Sequence, residues 1–299
     1  MKPEILIIAP IPPELRERLA QCYTLIEERP TEADSRPGME VAVTTSMAGI
    51  DRSVMEALPD LRLVACNGTG LDKIDTEAAR DRAITIRHTP DAVTDDTADS
   101  AIGLIYATLR RIAEADRFVR AGGWRKGRMT PARRVFSRHI GILGLGRIGR
   151  TIAQRAAALG MEVSYTGPNP KDVPYTYIED IADLAGRVEV LVLSCPASAA
   201  TLGIVDAGVL QALGPGGYLI NVSRGNVVQQ DALLLALESG TIRAAGLDVF
   251  ENEPDIDPRF FALENVVLQP HYAAVTYETR HAMADVLESA IHAHFANRR

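Results

Sequence analysis

The chain has 299 residues, 46% hydrophobic and 24% charged, with 32 Lys and Arg against 39 Asp and Glu, a net charge of −7. That composition belongs to a globular protein with room for one or two domains. It argues against a nucleic-acid or membrane-surface partner, because such binders usually carry a clustered basic excess and none is expected here.

Near the N-terminus an apolar run, Ile5 to Ala9, is cut short by Pro10, Pro12 and Pro13. It is too short for a signal peptide and reads as a first strand. No apolar stretch approaches the ~20 residues of a membrane span. Cys22, Cys66 and Cys195 are odd in number and far apart, so neither a disulfide framework nor a metal site is expected and a reducing cytoplasm fits.

Along the chain, strand-like runs at Val41 to Thr44, Leu63 to Cys66 and Ala83 to Ile86 alternate with amphipathic pieces. Pro13 to Cys22 sets Leu15, Leu19 and Cys22 on one helical stripe. Thr97 to Arg120 reads as one long linker helix closing on Gly122 and Gly123. Beyond it come the strand His139 to Leu143, a helix from Arg147 to Leu159, and strands at Glu162 to Tyr165, Val190 to Leu193, Tyr218 to Val222 and Ala244 to Val249. The helix Asp231 to Ser239 lies between the last two, and the strand Val266 to Leu268 precedes a final helix, Thr276 to Phe295. Strand and helix in alternation predict an α/β fold with parallel sheets covered on both faces, in two units.

Gly144-Leu145-Gly146-Arg147-Ile148-Gly149 joins a predicted strand to a predicted helix. In that context G-x-G-x-x-G predicts a dinucleotide pyrophosphate site. Gly144 allows the tight turn, Gly146 the close approach of backbone to phosphate, and Gly149 the packing of helix on strand. The acid that would bind an adenine ribose belongs ~20 residues on, at the end of the next strand. Thr166 stands there instead. Without an acid the electrostatic barrier to a 2′-phosphate is gone, so NADP is the preferred cofactor and NAD the alternative. Thr166, Asn169 and Lys171 are the candidate phosphate partners, with no arginine among them.

Arg224, Glu253 and His271 each follow a predicted parallel strand, at separations of 29 and 18 residues. Ligands bind beyond such strand ends. Singly, each has an ordinary structural explanation. Their order, with the segments Asn67 to Asp75 and His88 to Asp99 and the glycine turn, resembles the D-isomer-specific 2-hydroxyacid dehydrogenase family over almost the whole chain.

The resemblance implies two doubly wound parallel-sheet domains, Rossmann-like and flavodoxin-like. A substrate domain at 1–96 and 275–299 would be interrupted by a cofactor domain at 97–274. It implies that Arg224 anchors the carboxylate of a small 2-oxo acid, that His271 is the general acid in reduction, and that Glu253 holds the imidazole. Formate dehydrogenases of the superfamily carry glutamine at that place, so Glu253 favours proton transfer. Cofactor contacts carried over are Leu145, Arg147 and Ile148 at the pyrophosphate, Cys195, Pro196 and Thr201 beside the adenosine, Val222, Ser223 and Arg224, and Asp248 near the nicotinamide amide. Cys195 is a wall there rather than a nucleophile. Asn67, Gly68, Thr69 and Gly70 resemble the loop whose N–H groups meet the substrate carboxylate. Trp124 resembles a residue that reaches the neighbouring subunit's pocket in a homodimer.

After His271 the family usually continues with a small aliphatic and then glycine, where this chain has Tyr272-Ala273. The subgroup most resembled is the glyoxylate/hydroxypyruvate reductases, with the hydroxyphenylpyruvate reductases as alternative. The end of the chain at residue 299 disfavours the larger phosphoglycerate dehydrogenases. The C-terminal-binding corepressors, dinucleotide-sensing scaffolds with the same Arg, Glu and His, are the alternative of another class.

Overall fold

A computed structural model describes residues 2–31 and 35–296. Residues 1, 32–34 and 297–299, which the sequence reading assigns to the first unit, lie outside the described residues. The chain divides into two compact units, Met1–Val93 with Val275–Arg299, and Thr94–Ala274. The first break lies three residues before the expected one, because the helix that opens the second unit starts at Thr94.

The first unit runs β1 (Glu4–Ile7), α1 (Pro13–Cys22), β2 (Thr24–Glu27), β3 (Val41–Thr45), α2 (Arg52–Glu56), β4 (Leu63–Asn67), α3 (Thr76–Asp81) and β5 (Thr85–Arg87). Its five strands are parallel, in the order β2-β1-β3-β4-β5. This is the flavodoxin-like winding. Alternate residues of β1, β3 and β4 point to opposite faces: Leu6, Ala42 and Val64 enter one core with Met55 and Leu58, while Ile5, Val41 and Leu63 enter the other with Leu15 and Leu19. Cys22 does not complete the α1 stripe as expected. It is exposed, and the apolar contact passes to Tyr23, which is buried at the start of the next connection.

The second unit comprises α4 (Thr94–Leu109), α5 (Ile112–Arg120), β6 (His139–Leu143), α6 (Arg147–Ala158), β7 (Glu162–Thr166), β8 (Thr176–Tyr177), α7 (Ile181–Ala185), β9 (Val190–Leu193), α8 (Ala207–Leu213), β10 (Tyr218–Asn221), α9 (Gln230–Glu238), β11 (Ala244–Leu247), α10 (Arg259–Ala262) and β12 (Val266–Leu268). Its seven strands are all parallel, in the order β12-β11-β10-β9-β6-β7-β8. The winding reverses between β6 and β9, the Rossmann crossover where a crevice opens beyond the strand ends. Strands β9 and β10 are buried along their whole length, as parallel strands covered on both faces must be. The last helix, α11 (Tyr277–Ala296), returns to the first unit, where Ala284, Leu287 and Ile291 pack with Leu15 and Leu19.

The long helix expected over Thr97 to Arg120 is two helices. Arg111 adopts φ +54° and breaks the hydrogen-bond ladder between α4 and α5. Its guanidinium is held by Glu114 and by the backbone oxygen of Thr130, so the turn is fixed by contacts beyond the local apolar pattern. Among the described residues no helix is long and apolar enough to cross a membrane.

Candidate active site

The glycine turn joins β6 to α6 at the point where the sheet order reverses. Gly144 has φ +91°, and a side chain there would place Cβ 2.7 Å from the Cys195 Cα; at Gly149 a Cβ would lie 2.1 Å from the Gly144 carbonyl oxygen. Any larger residue at either position would push the turn off β9 or the helix off the turn. At Gly146, by contrast, no atom lies within 4 Å of where a Cβ would be. Gly146 is also the N-cap of α6 and makes no side-chain cap bond, leaving the first N–H groups of a 12-residue helix without intrahelical partners. An open cradle of N–H groups at the positive end of a helix dipole suits a pyrophosphate. Arg147 is exposed beside it and Ile148 half-buried; Leu145 is buried in the core, so its contribution to a ligand is its backbone.

Thr166 ends β7, is 3% exposed, and donates its hydroxyl to the Glu179 carbonyl at 2.9 Å. The expected direct contact of Thr166 with a 2′-phosphate is therefore corrected: its proton is already committed inside the fold. What remains at that strand end is a position without a carboxylate. Asn169 and Lys171 are exposed on the following loop. Two tyrosines that sequence reasoning missed hold this loop. The Tyr165 hydroxyl accepts the Lys171 N–H at 2.7 Å, and the Tyr177 hydroxyl donates to the Gly167 carbonyl at 3.0 Å.

Cys195 follows β9 and is buried, and burial pushes its thiol up to about 11. A thiol so placed is not a nucleophile near neutral pH. Pro196 and Thr201 close a small turn, the Thr201 hydroxyl donating to the Pro196 carbonyl at 2.7 Å and accepting the Ser198 N–H at 2.9 Å.

After β10 the chain turns through Val222, Ser223 and Arg224. Asn221, buried at the strand end, shapes this turn. Its side-chain oxygen accepts the N–H and hydroxyl of Ser223, and its amide donates to the Arg224 carbonyl at 3.0 Å. The Arg224 backbone is extended, and its Nη1 donates to the Ser223 carbonyl at 2.8 Å. Asn221 had no assigned role in the sequence reading; a polar residue ending a buried strand was the available signal.

Asp248 leaves β11 and is buried, while Gln269 leaves β12 and accepts the Ser100 hydroxyl of α4 at 2.9 Å. His271 lies two residues on. Its Nδ1 is 2.6 Å from Oε2 of Glu253, whose Oε1 accepts the Phe250 N–H at 2.8 Å. A carboxylate only accepts, so Nδ1 carries the proton of that bond and Nε2 is the nitrogen left for chemistry. The His271 side chain is 32% exposed and that of Glu253 14%. Burial would push the Glu253 carboxyl up, but the hydrogen bonds from His271 and Phe250, with the electrostatic pull of His271 and Arg224, outweigh it and hold the carboxyl below its ordinary range. Glu253 is thus an ionised partner for the imidazole at neutral pH.

In the first unit the loop Asn67 to Gly70 follows β4, again at a parallel strand end. The Gly68 carbonyl accepts the N–H of Thr89, and the Thr69 carbonyl is bonded to Nδ1 of His88 at 3.0 Å. The buried Thr69 Oγ1 has no partner among the described residues. Trp124 sits in the second unit on a short 3-10 turn, 70% exposed.

A helix-capped glycine turn at a Rossmann crossover, with an imidazole, its carboxylate and a guanidinium beyond neighbouring strand ends, defines a dinucleotide-dependent oxidoreductase. The model for the NAD-binding domain of D-isomer specific 2-hydroxyacid dehydrogenases matches residues 102–273. Hydroxyphenylpyruvate reductase of Plectranthus scutellarioides is 39% identical over 301 residues, covering 98% of this chain and 96% of that one. Glyoxylate/hydroxypyruvate reductase A of Arabidopsis thaliana is 41% identical over 286 residues, 95% of this chain and 91% of that one. The crystal structure of the NADPH-dependent glyoxylate/hydroxypyruvate reductase of Sinorhizobium meliloti with NADP and malonate has a TM-score of 0.93 at 37% identity, covering 99% of this chain and 94% of that one. The chain belongs to the D-isomer-specific 2-hydroxyacid dehydrogenase family. It is an NAD(P)-dependent oxidoreductase of 2-hydroxy acids.

Proposed function

We propose that this protein reduces glyoxylate and hydroxypyruvate to their 2-hydroxy acids with NADPH as the preferred donor. The observation that carries the reading is the 2.6 Å pair of His271 Nδ1 and Glu253 Oε2 at the strand ends that also present Arg224. The glycine turn and the first turn of α6 would hold the pyrophosphate of the cofactor, whose reduced nicotinamide would supply the hydride for C2 of the substrate. Arg224 holds the substrate carboxylate and the carbonyl oxygen with a planar, permanently charged fork. His271 gives the proton on Nε2 to the oxygen that becomes the hydroxyl, and Glu253 fixes the ring and balances its charge.

The preference for NADPH is supported by the absence of a carboxylate at the end of β7, where one would repel a 2′-phosphate, and by Asn169 and Lys171 on the loop beyond. The relative from Sinorhizobium meliloti is named as NADPH-dependent. The first unit is proposed as the substrate-binding domain, its Asn67–Gly70 loop as a carboxylate-binding element. The unpartnered Thr69 hydroxyl supports that role.

A homodimer is part of the proposal, with Trp124 contributing to specificity. Ile112, Val119, Trp124 and Phe136 are large apolar residues of the second unit, each more than half exposed, and their exposure supports an interface. The three cysteines are free, which suits the cytoplasm. The likeness to a hydroxyphenylpyruvate reductase at 39% identity keeps a bulkier 2-oxo acid as the second reading.

His271→Ala is expected to lower reduction by a factor of about 10² to 10⁴ while the affinity for NADPH, read by quenching of protein fluorescence, stays as in the wild type. Full activity in that variant would remove the acid assignment.

A further inference from the structure

The catalytic imidazole hangs from an unusual piece of backbone. His271 has φ +52°, a left-handed conformation that a residue with a side chain rarely adopts, and it follows Pro270, which has no N–H to help hold it. What fixes it comes from a single residue just beyond the end of another strand. The Asp248 carbonyl accepts the His271 N–H at 2.8 Å. Oδ1 of the same residue accepts the Tyr272 N–H at 2.6 Å and the Ala273 N–H at 3.2 Å, and Oδ2 accepts the Ala273 N–H at 3.1 Å. Three consecutive N–H groups of the histidine loop therefore end on one buried aspartate, 1% exposed. No Lys or Arg ion-pairs with it among the described residues. Burial pushes its carboxyl up against the pull of the Tyr272 and Ala273 N–H groups, so a carboxylate here is costly unless those hydrogen bonds are needed.

We infer that Asp248 is a positioning residue for the reaction, holding His271 in its left-handed conformation so that Nε2 is presented in one place. The imidazole is then gripped twice. Asp248 holds its main chain, and Glu253 holds its Nδ1. Both grips originate in the short segment that leaves β11, since Glu253 is itself tied to the Phe250 N–H. The expected contact of Asp248 with the nicotinamide amide is a different role, and the two separate in experiment: a cofactor contact acts on cofactor affinity, a positioning residue on turnover. The inference rests on the reductase reading above for its kinetic part only.

The test compares Asp248→Ala with Asp248→Asn. Asparagine keeps an oxygen that can accept from Tyr272 and Ala273, and alanine keeps none. The expected result is a fall in kcat of about 100-fold for D248A, the cost of misplacing a reacting group by about an ångström, larger than any change in Kd for NADPH. D248N, whose one oxygen can still accept from Tyr272 and Ala273, should lose less kcat than D248A. In the ligand-free protein, the downfield proton resonance of the His271 Nδ1–H bonded to Glu253 should persist in D248N and shift or broaden in D248A. Equal loss in D248N and D248A, a loss confined to NADPH affinity, or an unchanged resonance in D248A would each overturn the inference. If D248A does not fold, Asp248→Ser takes its place, because a serine hydroxyl is too short to reach both N–H groups. If the wild type turns over no 2-oxo acid while the resonances behave as described, the reductase reading falls and the positioning role stands.

Discussion

His271 Nδ1 is committed to Glu253, and that one hydrogen bond leaves Nε2 for chemistry. The bond from the ring is one of the contacts that hold the Glu253 carboxyl below its ordinary range, so a carboxylate faces the imidazole. Reduction consumes the proton on Nε2. Glu253→Gln keeps a hydrogen-bond acceptor and removes the charge beside the ring, so kcat/KM for reduction should fall. Steady-state kinetics check this, and a wild-type kcat/KM in the variant would deny Glu253 its electrostatic part. On the acid side, a carboxyl held below its ordinary range stays ionised as pH drops. The stability that this pair adds is present above the ordinary carboxylate pKa and is lost only as pH falls through the lowered one.

At the scale of elements, the site depends on how closely two loops approach. Gly225, directly after Arg224, lies against the segment that leaves β11: a Cβ there would sit 1.9 Å from the Phe250 carbonyl carbon. Gly225→Ala must therefore separate the loop carrying Arg224 from the one carrying Glu253. Expected are a loss of kcat/KM of about 100-fold and a stability cost of about 1–3 kcal/mol, read by steady-state kinetics and denaturant unfolding. Wild-type values in both would mean that the loops have slack.

The same scale shows what could be read from the sequence. Strands β6, β9 and β12 lie where their apolar runs place them, and Arg224, Glu253 and His271 follow strand ends as expected, because parallel strands and their exits carry strong local patterns. Strand β2 was missed. Thr24–Glu27 is a half-exposed edge strand with neither an apolar run nor an alternation. The break at Arg111 and the Asp248 clamp were illegible for another reason. They are made by partners 19 and 24 residues away, Thr130 and Tyr272, which no local period reports.

Across the whole molecule, the net charge of −7 conceals a strong segregation. Between Arg117 and Arg138 there are eight Lys and Arg and no Asp or Glu, so the expectation of no clustered basic excess is corrected. The negative sum hid the cluster because acids dominate the rest of the chain. The same stretch carries Val119, Trp124 and Phe136 exposed, a pairing of cations and large apolar side chains that suits a second copy of an otherwise acidic chain. Val119→Glu should weaken the proposed dimer, visible as a shift toward the one-chain mass in sedimentation velocity. A wild-type protein already at the one-chain mass would refute the dimer.

The central claim is an NADPH-preferring reductase of small 2-oxo acids, and it is tested most directly by kcat/KM for glyoxylate, hydroxypyruvate and phenylpyruvate, each with NADPH and with NADH. The expected result is turnover of all or most of these acids, the highest value falling on glyoxylate or hydroxypyruvate with NADPH. A clear preference for NADH, a preference for phenylpyruvate, or no oxidation of either cofactor by any of the three would contradict it.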